Sequence, residues 1–268
     1  MMRIKYIECL LLLVVCVVLA SCGIQIQFDM PVPAEVNLGR GCSLAVRDME
    51  RSHCPMEREA ARELRRAFYH QIAEDGYYQN VERGYGRSAQ VRIELFNTHV
   101  RLSGEGKHET ARLCTTVEVN SGYRNLYRKF EDVYLSRDYD GCYEFYEAAQ
   151  DIARRTMRVL TPHMTTYNEY VDENDENPSL ERAARSCAAG NWSIGRLYAQ
   201  QALSVNPNEA EAYYVLGLIE RKEGNYEQSD AMFRKAAGLK AKGKYTEAIR
   251  DNERLQHNEA IFRQQVQY

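Results

Sequence analysis

The sequence contains one tryptophan in 268 residues, and after its first 21 residues it has no hydrophobic run long enough to span a membrane. It also lacks the G-x-S-x-G, H-E-x-x-H, P-loop and EF-hand patterns, which carry hydrolase, metalloprotease, nucleotide and calcium chemistry. The formal net charge is −3 with both signs intermixed, which argues against a nucleic-acid-binding surface. We therefore predict a protein that is not an enzyme and that needs no metal or cofactor.

The first 21 residues have the layout of a secretory signal peptide. Arg3 and Lys5 give a short positive region, and a mostly apolar run follows over residues 7–19. This run is too short to form an ordinary transmembrane helix. We expect residues 1–21 to be removed and the mature chain to carry no spanning segment.

The end of this leader resembles the lipobox of bacterial lipoproteins. Residues 19–22 read Leu-Ala-Ser-Cys: a large apolar residue, two small residues and a cysteine. The resemblance implies a diacylglycerol thioether on Cys22 and acylation of the new amino terminus, for example with palmitate. Each buried CH₂ of these chains contributes roughly 0.8 kcal/mol, so three chains hold a protein firmly on a membrane. An uncleaved signal anchor is the alternative.

The residues after Cys22 bear on which membrane is reached. Gly23 stands where lipoproteins retained in the inner membrane often carry aspartate, and residues 23–27 lack the acidic cluster of some surface-exported lipoproteins. The resemblance therefore implies a lipid-anchored protein of the cell outer membrane that faces the periplasm. The sequence leaves open whether it instead faces the cell surface.

Five of the eight cysteines remain once the leader and Cys22 are set aside. An odd number in an oxidising compartment permits at most two disulfides, and their pairing is open. No pair has C-x-x-C spacing, which argues against a zinc ribbon or a thioredoxin-like redox site. The five are Cys42, Cys54, Cys114, Cys142 and Cys187.

Residues 39–162 have the pattern of an α+β domain, preceded by a lipidated tether over residues 22–38. The spacing predicts one helix from the region of Pro55 to Asp75, where Gly76 stops it, and a second over residues 143–160. Residues 91–100, 111–119 and 127–134 alternate apolar and polar side chains, which is typical of half-buried strands. We predict an antiparallel sheet with both helices on one face.

Residues 163–178 are predicted to be an acidic linker, and residues 179–268 to be helical repeats. Gly190-Asn191-Trp192 recurs 34 residues later as Gly224-Asn225-Tyr226, which is the tetratricopeptide (TPR) period. The first copy departs from the pattern, with Gly195 where alanine is usual. Since about three repeats are normally needed for stability, residues 245–264 are predicted to form a long capping helix.

The lipobox, the Pro-Val-Pro stretch of the tether and the Gly-Asn-Trp turn together resemble a group of envelope lipoproteins common in Bacteroidetes-like bacteria. That group has an N-terminal α/β domain followed by C-terminal TPR repeats. The resemblance implies the architecture more than any mechanism, because the group has no assigned enzymatic activity. We expect a scaffold that binds or assembles other envelope proteins, of unknown oligomeric state.

The candidate partner-binding site is the first helix of the second repeat. By repeat position, its groove-facing residues are Glu211, Tyr214, Leu218, Arg221 and Lys222. The two basic side chains suit a carboxylate of an extended peptide or a chain terminus, and Tyr214 and Leu218 suit apolar contacts. A solvated helix face is the alternative.

A different class of function is also open. Nineteen tyrosines cluster in part around residues 77–78 and 123–146, within the α+β domain. Tyrosine on half-buried strands and helices explains them most simply. An aromatic platform would instead make this domain a glycan-binding accessory factor or an envelope enzyme.

Overall fold

The computed structural model describes residues 23–48, 52–80, 89–104, 110–121, 125–137, 142–172 and 176–267. The signal peptide and Cys22 therefore lie outside the described residues, and so does part of the predicted acidic linker. Residues 23–32 and 164–260 form one compact unit, here called the repeat unit. Residues 33–163 and 261–267 form the other, the α+β unit. No helix in the described ranges is both long and apolar enough to cross a membrane.

The α+β unit is built on a five-stranded sheet of order β3-β2-β4-β5-β6. Its strands are β2 (Ser43–Asp48), β3 (Gln79–Asn80), β4 (Val91–Ser103), β5 (Thr110–Asn120) and β6 (Asn125–Tyr134). Strands β4, β5 and β6 form an antiparallel meander as predicted, but β2 pairs in parallel with both β3 and β4. The helix that follows β2 is the reason, since a parallel pair needs a crossover connection. A short hairpin, β7 (Ser136–Arg137) with β8 (Tyr143–Glu144), follows the meander.

Two helices cover this sheet through one apolar core. Helix α1 (Pro55–Asp75) has proline in its first turn and ends at Gly76, whose φ of 59° is left-handed. Helix α2 (Tyr146–Leu160) buries Ile152 and Met157. Both helices contribute to the cluster that contains the buried strand residues Ile93 and Leu95. The predicted α+β class, followed by helical repeats, is confirmed.

The segments predicted as a tether and a linker contain strands. Strand β1 (Ile24–Val32) pairs with β9 (His163–Val171) in a separate two-stranded sheet. In β1 the apolar side chains Ile26, Phe28 and Met30 alternate with exposed polar ones, and they join the core of the repeat unit. The predicted tether and acidic linker thus include two paired strands that the sequence analysis did not predict, because a period-two apolar face can be buried against the repeats.

The repeat unit contains two helix pairs and the start of a long final helix. The helices are α3 (Pro178–Ala188), α4 (Trp192–Val205), α5 (Ala210–Lys222), α6 (Tyr226–Leu239) and α7 (Gly243–Gln267). The repeated glycines have a structural role: Gly190 and Gly224 adopt left-handed φ values of 78° and 81° directly after α3 and α5. This conformation ends each first helix and lets the partner helix turn back.

Two further glycines permit close helix packing. A Cβ on Gly217 would lie 2.4 Å from a ring carbon of Phe233, and one on Gly195 would lie 2.3 Å from the Sγ of Cys187. Gly195, the departure noted in the first repeat, is therefore matched to a larger side chain on the facing helix. No disulfide joins the described cysteines, and burial raises the pKa of the Cys187 thiol to about 12.

Candidate functional site

The five predicted groove residues lie on α5, and four of them are buried. Glu211 is 4% exposed, while Tyr214, Leu218 and Arg221 are each 0% exposed. Of the five, Lys222 alone faces solvent. The prediction of an open groove at these four residues is wrong, because other parts of the same chain cover them.

Arg221 is held on all sides by its own unit. Its Nη1 donates to Glu169 Oε1 at 3.0 Å, its Nη2 to the carbonyl oxygen of Ala248 at 2.6 Å, and its Nε to Asn252 Oδ1 at 3.2 Å. The guanidinium carbon also lies 4.7 Å from the ring centroid of Phe233. Burial lowers the pKa of Arg221, and the charge of Glu169 opposes that effect. A guanidinium so placed stays charged and bridges β9, α5 and α7.

A second cluster surrounds Glu211. Its carboxylate accepts hydrogen bonds from Lys242 Nζ at 2.6 Å, Lys244 Nζ at 2.8 Å and the Tyr245 hydroxyl at 2.6 Å. The two lysines also pair with Asp172, and Lys244 Nζ is 3.1 Å from Asp172 Oδ1. Burial alone would raise the pKa of Asp172, but the hydrogen bonds and charges of both lysines lower it to about 2. This cluster therefore holds two carboxylates and two ammonium groups in charge balance.

Tyr214 lies between the two clusters. Its hydroxyl donates to Glu169 Oε2 at 2.7 Å, and its ring centroid is 5.4 Å from that of Tyr245. The Lys244 Nζ is 5.0 Å from the Tyr214 ring centroid, which is within cation–π range. The arrangement binds carboxylates through cations and hydroxyls that lie on α5, on α7 and, in the case of Lys242, just before α7.

The helix pair α5–α6 that carries these residues is recognisable by sequence comparison. Residues 210–242 match the tetratricopeptide repeat family. The match covers the second predicted copy, and the first copy stays a prediction. Comparison with curated proteins finds no match for the chain. Helix α5 of this tetratricopeptide repeat thus supplies the central residue of each buried cluster, Arg221 in the first and Glu211 in the second.

The partners that sequence reasoning missed are on β9 and at its end. Residues 169–172 read Glu-Tyr-Val-Asp and are called the acidic segment below. Glu169 and Asp172 are the carboxylates of the two clusters, and Val171 is buried at 1% exposure. The available signal was the alternation of Tyr167, Glu169 and Val171, which face inward while their neighbours face outward. The acidic composition of this segment instead favours a linker, as predicted for residues 163–178.

A separate cavity of about 680 Å³ lies within the α+β unit. It opens beside an irregularity in β4, where the register shifts between Phe96 and His99 and Asn97 has a left-handed φ of 50°. His99 Nδ1 is 2.8 Å from the Asn97 carbonyl oxygen, and His99 pairs across the ladder with Cys114. The cavity lining includes Arg58, His99, Arg101, Cys114, Thr116 and Tyr127.

Proposed function

We propose that this chain is a lipid-anchored interaction protein of a bacterial cell envelope. In this proposal Cys22 carries the lipid at the outer membrane, and the repeat unit recruits an envelope protein without performing chemistry itself. The tetratricopeptide repeat at residues 210–242 carries the proposal. Repeats of this kind stack helix pairs into surfaces that bind other proteins.

The anchor is tested by lipid labelling of the full chain in bacterial cells. Cells fed an alkyne analogue of palmitate should label the unchanged protein in the membrane fraction. Cys22→Ala should abolish the label and release the protein, because no sulfur remains to form the thioether. Cys42→Ala is the matched control, and this variant should keep the label and stay in the membrane fraction. Undiminished labelling of Cys22→Ala would overturn the anchor.

The scaffold is tested by site-specific photo-crosslinking in cells. A benzophenone amino acid in place of Lys222, which is exposed on the repeat, should crosslink one defined envelope protein. The same group in place of Tyr146, which is 60% exposed on α2, is the control and should not. The product should be identified by mass spectrometry and reproduced with purified proteins. Crosslinks from residue 146 alone would assign recruitment to the α+β unit instead.

The cavity of the α+β unit favours a second candidate function, the binding of a glycan. Tyr127 offers an aromatic face, and Thr116 and Arg101 offer hydrogen-bonding groups beside it. Soluble peptidoglycan fragments should then bind the full chain in calorimetry. Tyr127→Ala should weaken that binding, whereas Tyr146→Ala, outside the cavity, should not. Equal binding by both variants would exclude the cavity as the glycan site.

A further inference from the structure

The acidic segment lies against α5 in the way that a bound extended peptide would. Glu169 reaches Arg221 and the Tyr214 hydroxyl, while Asp172 reaches Lys242 and Lys244. These residues of α5 occupy groove-facing positions of a tetratricopeptide repeat. The positions at which a partner was expected are therefore in contact with the chain's own strand.

Backbone contacts strengthen the likeness to a ligand. Lys244 Nζ donates to the carbonyl oxygen of Tyr170 at 3.1 Å, and the Asp172 backbone N–H donates to Glu211 Oε2 at 3.4 Å. Extended peptides are commonly held by this combination of main-chain hydrogen bonds and alternate side-chain positions. The segment thus offers two carboxylates and a buried valine to the repeat, with Tyr170 turned outward at 53% exposure.

We infer that the acidic segment is a built-in competitor, which occupies the repeat in place of a partner peptide with the same pattern. That pattern is an extended stretch with two carboxylates three residues apart and an apolar residue just before the second. The inference rests on the proposed function, since it names the partner's chemistry and the regulation of the same repeat. A partner must displace residues 169–172. Its apparent affinity is therefore its intrinsic affinity multiplied by the fraction of molecules in which the segment is released.

The structure indicates which contacts control the exchange. Arg221 and Tyr214 hold Glu169 on the buried side, whereas the Asp172 side chain is 50% exposed at the outer side. Charge-assisted hydrogen bonds are about twice as strong as neutral ones. Replacing both carboxylates of the segment by amides keeps its shape and weakens its hold, which favours a competing peptide with intact carboxylates.

The test uses a fluorescein-labelled peptide with the sequence of residues 166–172, Thr-Tyr-Asn-Glu-Tyr-Val-Asp. Its binding to the full chain in detergent is measured by anisotropy. The Glu169→Gln, Asp172→Asn chain should bind this peptide about tenfold more tightly than the unchanged chain, because the competing population falls. A peptide with glutamine and asparagine at its two acidic positions should bind neither chain.

A second variant set tests where the peptide binds. Adding Lys242→Gln and Lys244→Gln to the amide variant should remove peptide binding, since the cations that receive the second carboxylate are lost. If the double amide chain fails to fold by circular dichroism, the Asp172→Asn chain alone should show about a threefold gain, as part of the competition remains. Equal peptide affinity of the unchanged and amide chains, or no binding to a folded amide chain, would overturn the inference.

The crosslinking experiment separates this inference from the proposed function. A defined crosslink at residue 222, with no peptide binding to the folded amide chain, would overturn the built-in competitor and leave the scaffold standing. If neither a crosslink at residue 222 nor binding of the peptide to the folded amide chain is observed, both the scaffold and the built-in competitor are overturned.

Discussion

The two units differ in what they bury. Among the residues that the structure describes, the buried charged side chains are Glu209, Glu211 and Arg221, and all three lie in the repeat unit. The buried polar side chains of the α+β unit are threonines and Gln265. The α+β unit therefore depends on apolar burial, which is non-directional, while the repeat unit also depends on specific ion pairs and hydrogen bonds.

This difference predicts that the two units respond differently to the loss of a single buried polar side chain. A buried ion pair contributes little net stability when intact, but removing one partner leaves an uncompensated charge and costs several kcal/mol. A buried threonine whose hydroxyl bonds within its own helix leaves no such charge. Single polar substitutions should therefore damage the repeat unit far more than the α+β unit.

The largest expected effect is that of Arg221→Met. The change leaves the Glu169 carboxylate and the Ala248 carbonyl without their guanidinium partner, which should lower the free energy of unfolding by about 3–5 kcal/mol. The matched control is Lys222→Met, which is exposed and should change it by less than about 0.5 kcal/mol. Urea denaturation followed by circular dichroism measures both. Equal effects at the two neighbouring positions would mean that Arg221 is not structurally engaged.

The next effect tests helix packing in the repeat. Gly217→Ala would place a methyl group 2.4 Å from the ring of Phe233. Overpacking of this kind costs about 1–3 kcal/mol, so the variant should unfold at lower urea concentration. Gly238→Ala, on α6 with nothing within 4 Å of the added methyl group, is the control. It should stabilise the protein by about 0.5–1 kcal/mol through helix propensity. A stabilised Gly217→Ala chain would contradict the packing.

A smaller effect should appear as a pH dependence. Because the folded pKa of Asp172, about 2, lies below its ordinary value of 3.8, its stabilising contribution is present above about pH 4. That contribution is lost as the pH falls towards 2. Since the side chain is half exposed, we expect about 1 kcal/mol after solvent screening. The measurement is the difference in unfolding free energy between the unchanged chain and Asp172→Asn from pH 2 to 5.

The control for this pH dependence is the same comparison made in a Lys242→Gln, Lys244→Gln chain. Without the two ammonium groups, burial raises the pKa of Asp172 above its ordinary value. The stabilising contribution of Asp172 at pH 5 relative to pH 2 should then disappear or reverse in sign. A pH-dependent difference of the same size in that background would show that other groups cause it.

Local patterns in the sequence predicted the helices and the antiparallel meander of β4, β5 and β6, but not the strands β1 and β9 or the parallel pairing of β2. The apolar stripe, Pro55 and Gly76 were sufficient for α1, and the Gly-Asn-aromatic turn was sufficient for the repeat hairpins. Each of these signals lies within a few residues of the structure that it specifies. The fold class followed from them, whereas the parallel pairing of β2 depends on how α1 carries the chain across the sheet.

The candidate site could not be predicted in the same way, because its contacts are distant in sequence. Arg221 and Glu169 are 52 residues apart, and Gln25 and Asn168, which join β1 to β9, are 143 apart. A charged residue on a helix is usually solvated, so the pattern alone favours exposure for Arg221. Strand β9 and Asp172 just after it lie against α5. Their acidic residues have the composition of a linker, so the sequence pattern did not reveal this contact.

The smallest effect compares a buried hydroxyl in each unit. Thr156 in α2 donates to the Ile152 carbonyl oxygen at 2.9 Å, within its own helix. That carbonyl is also the normal acceptor of the helical N–H four residues on, so Thr156→Val should change stability by less than about 0.5 kcal/mol. Ser229 in α6 instead donates to the Gly217 carbonyl oxygen at 2.8 Å, on the facing helix. Ser229→Ala should cost roughly 0.5–1 kcal/mol in the same urea measurement. If Thr156→Val proved the more costly of the two, polar contacts would matter as much to the interior of the α+β unit as to that of the repeat unit.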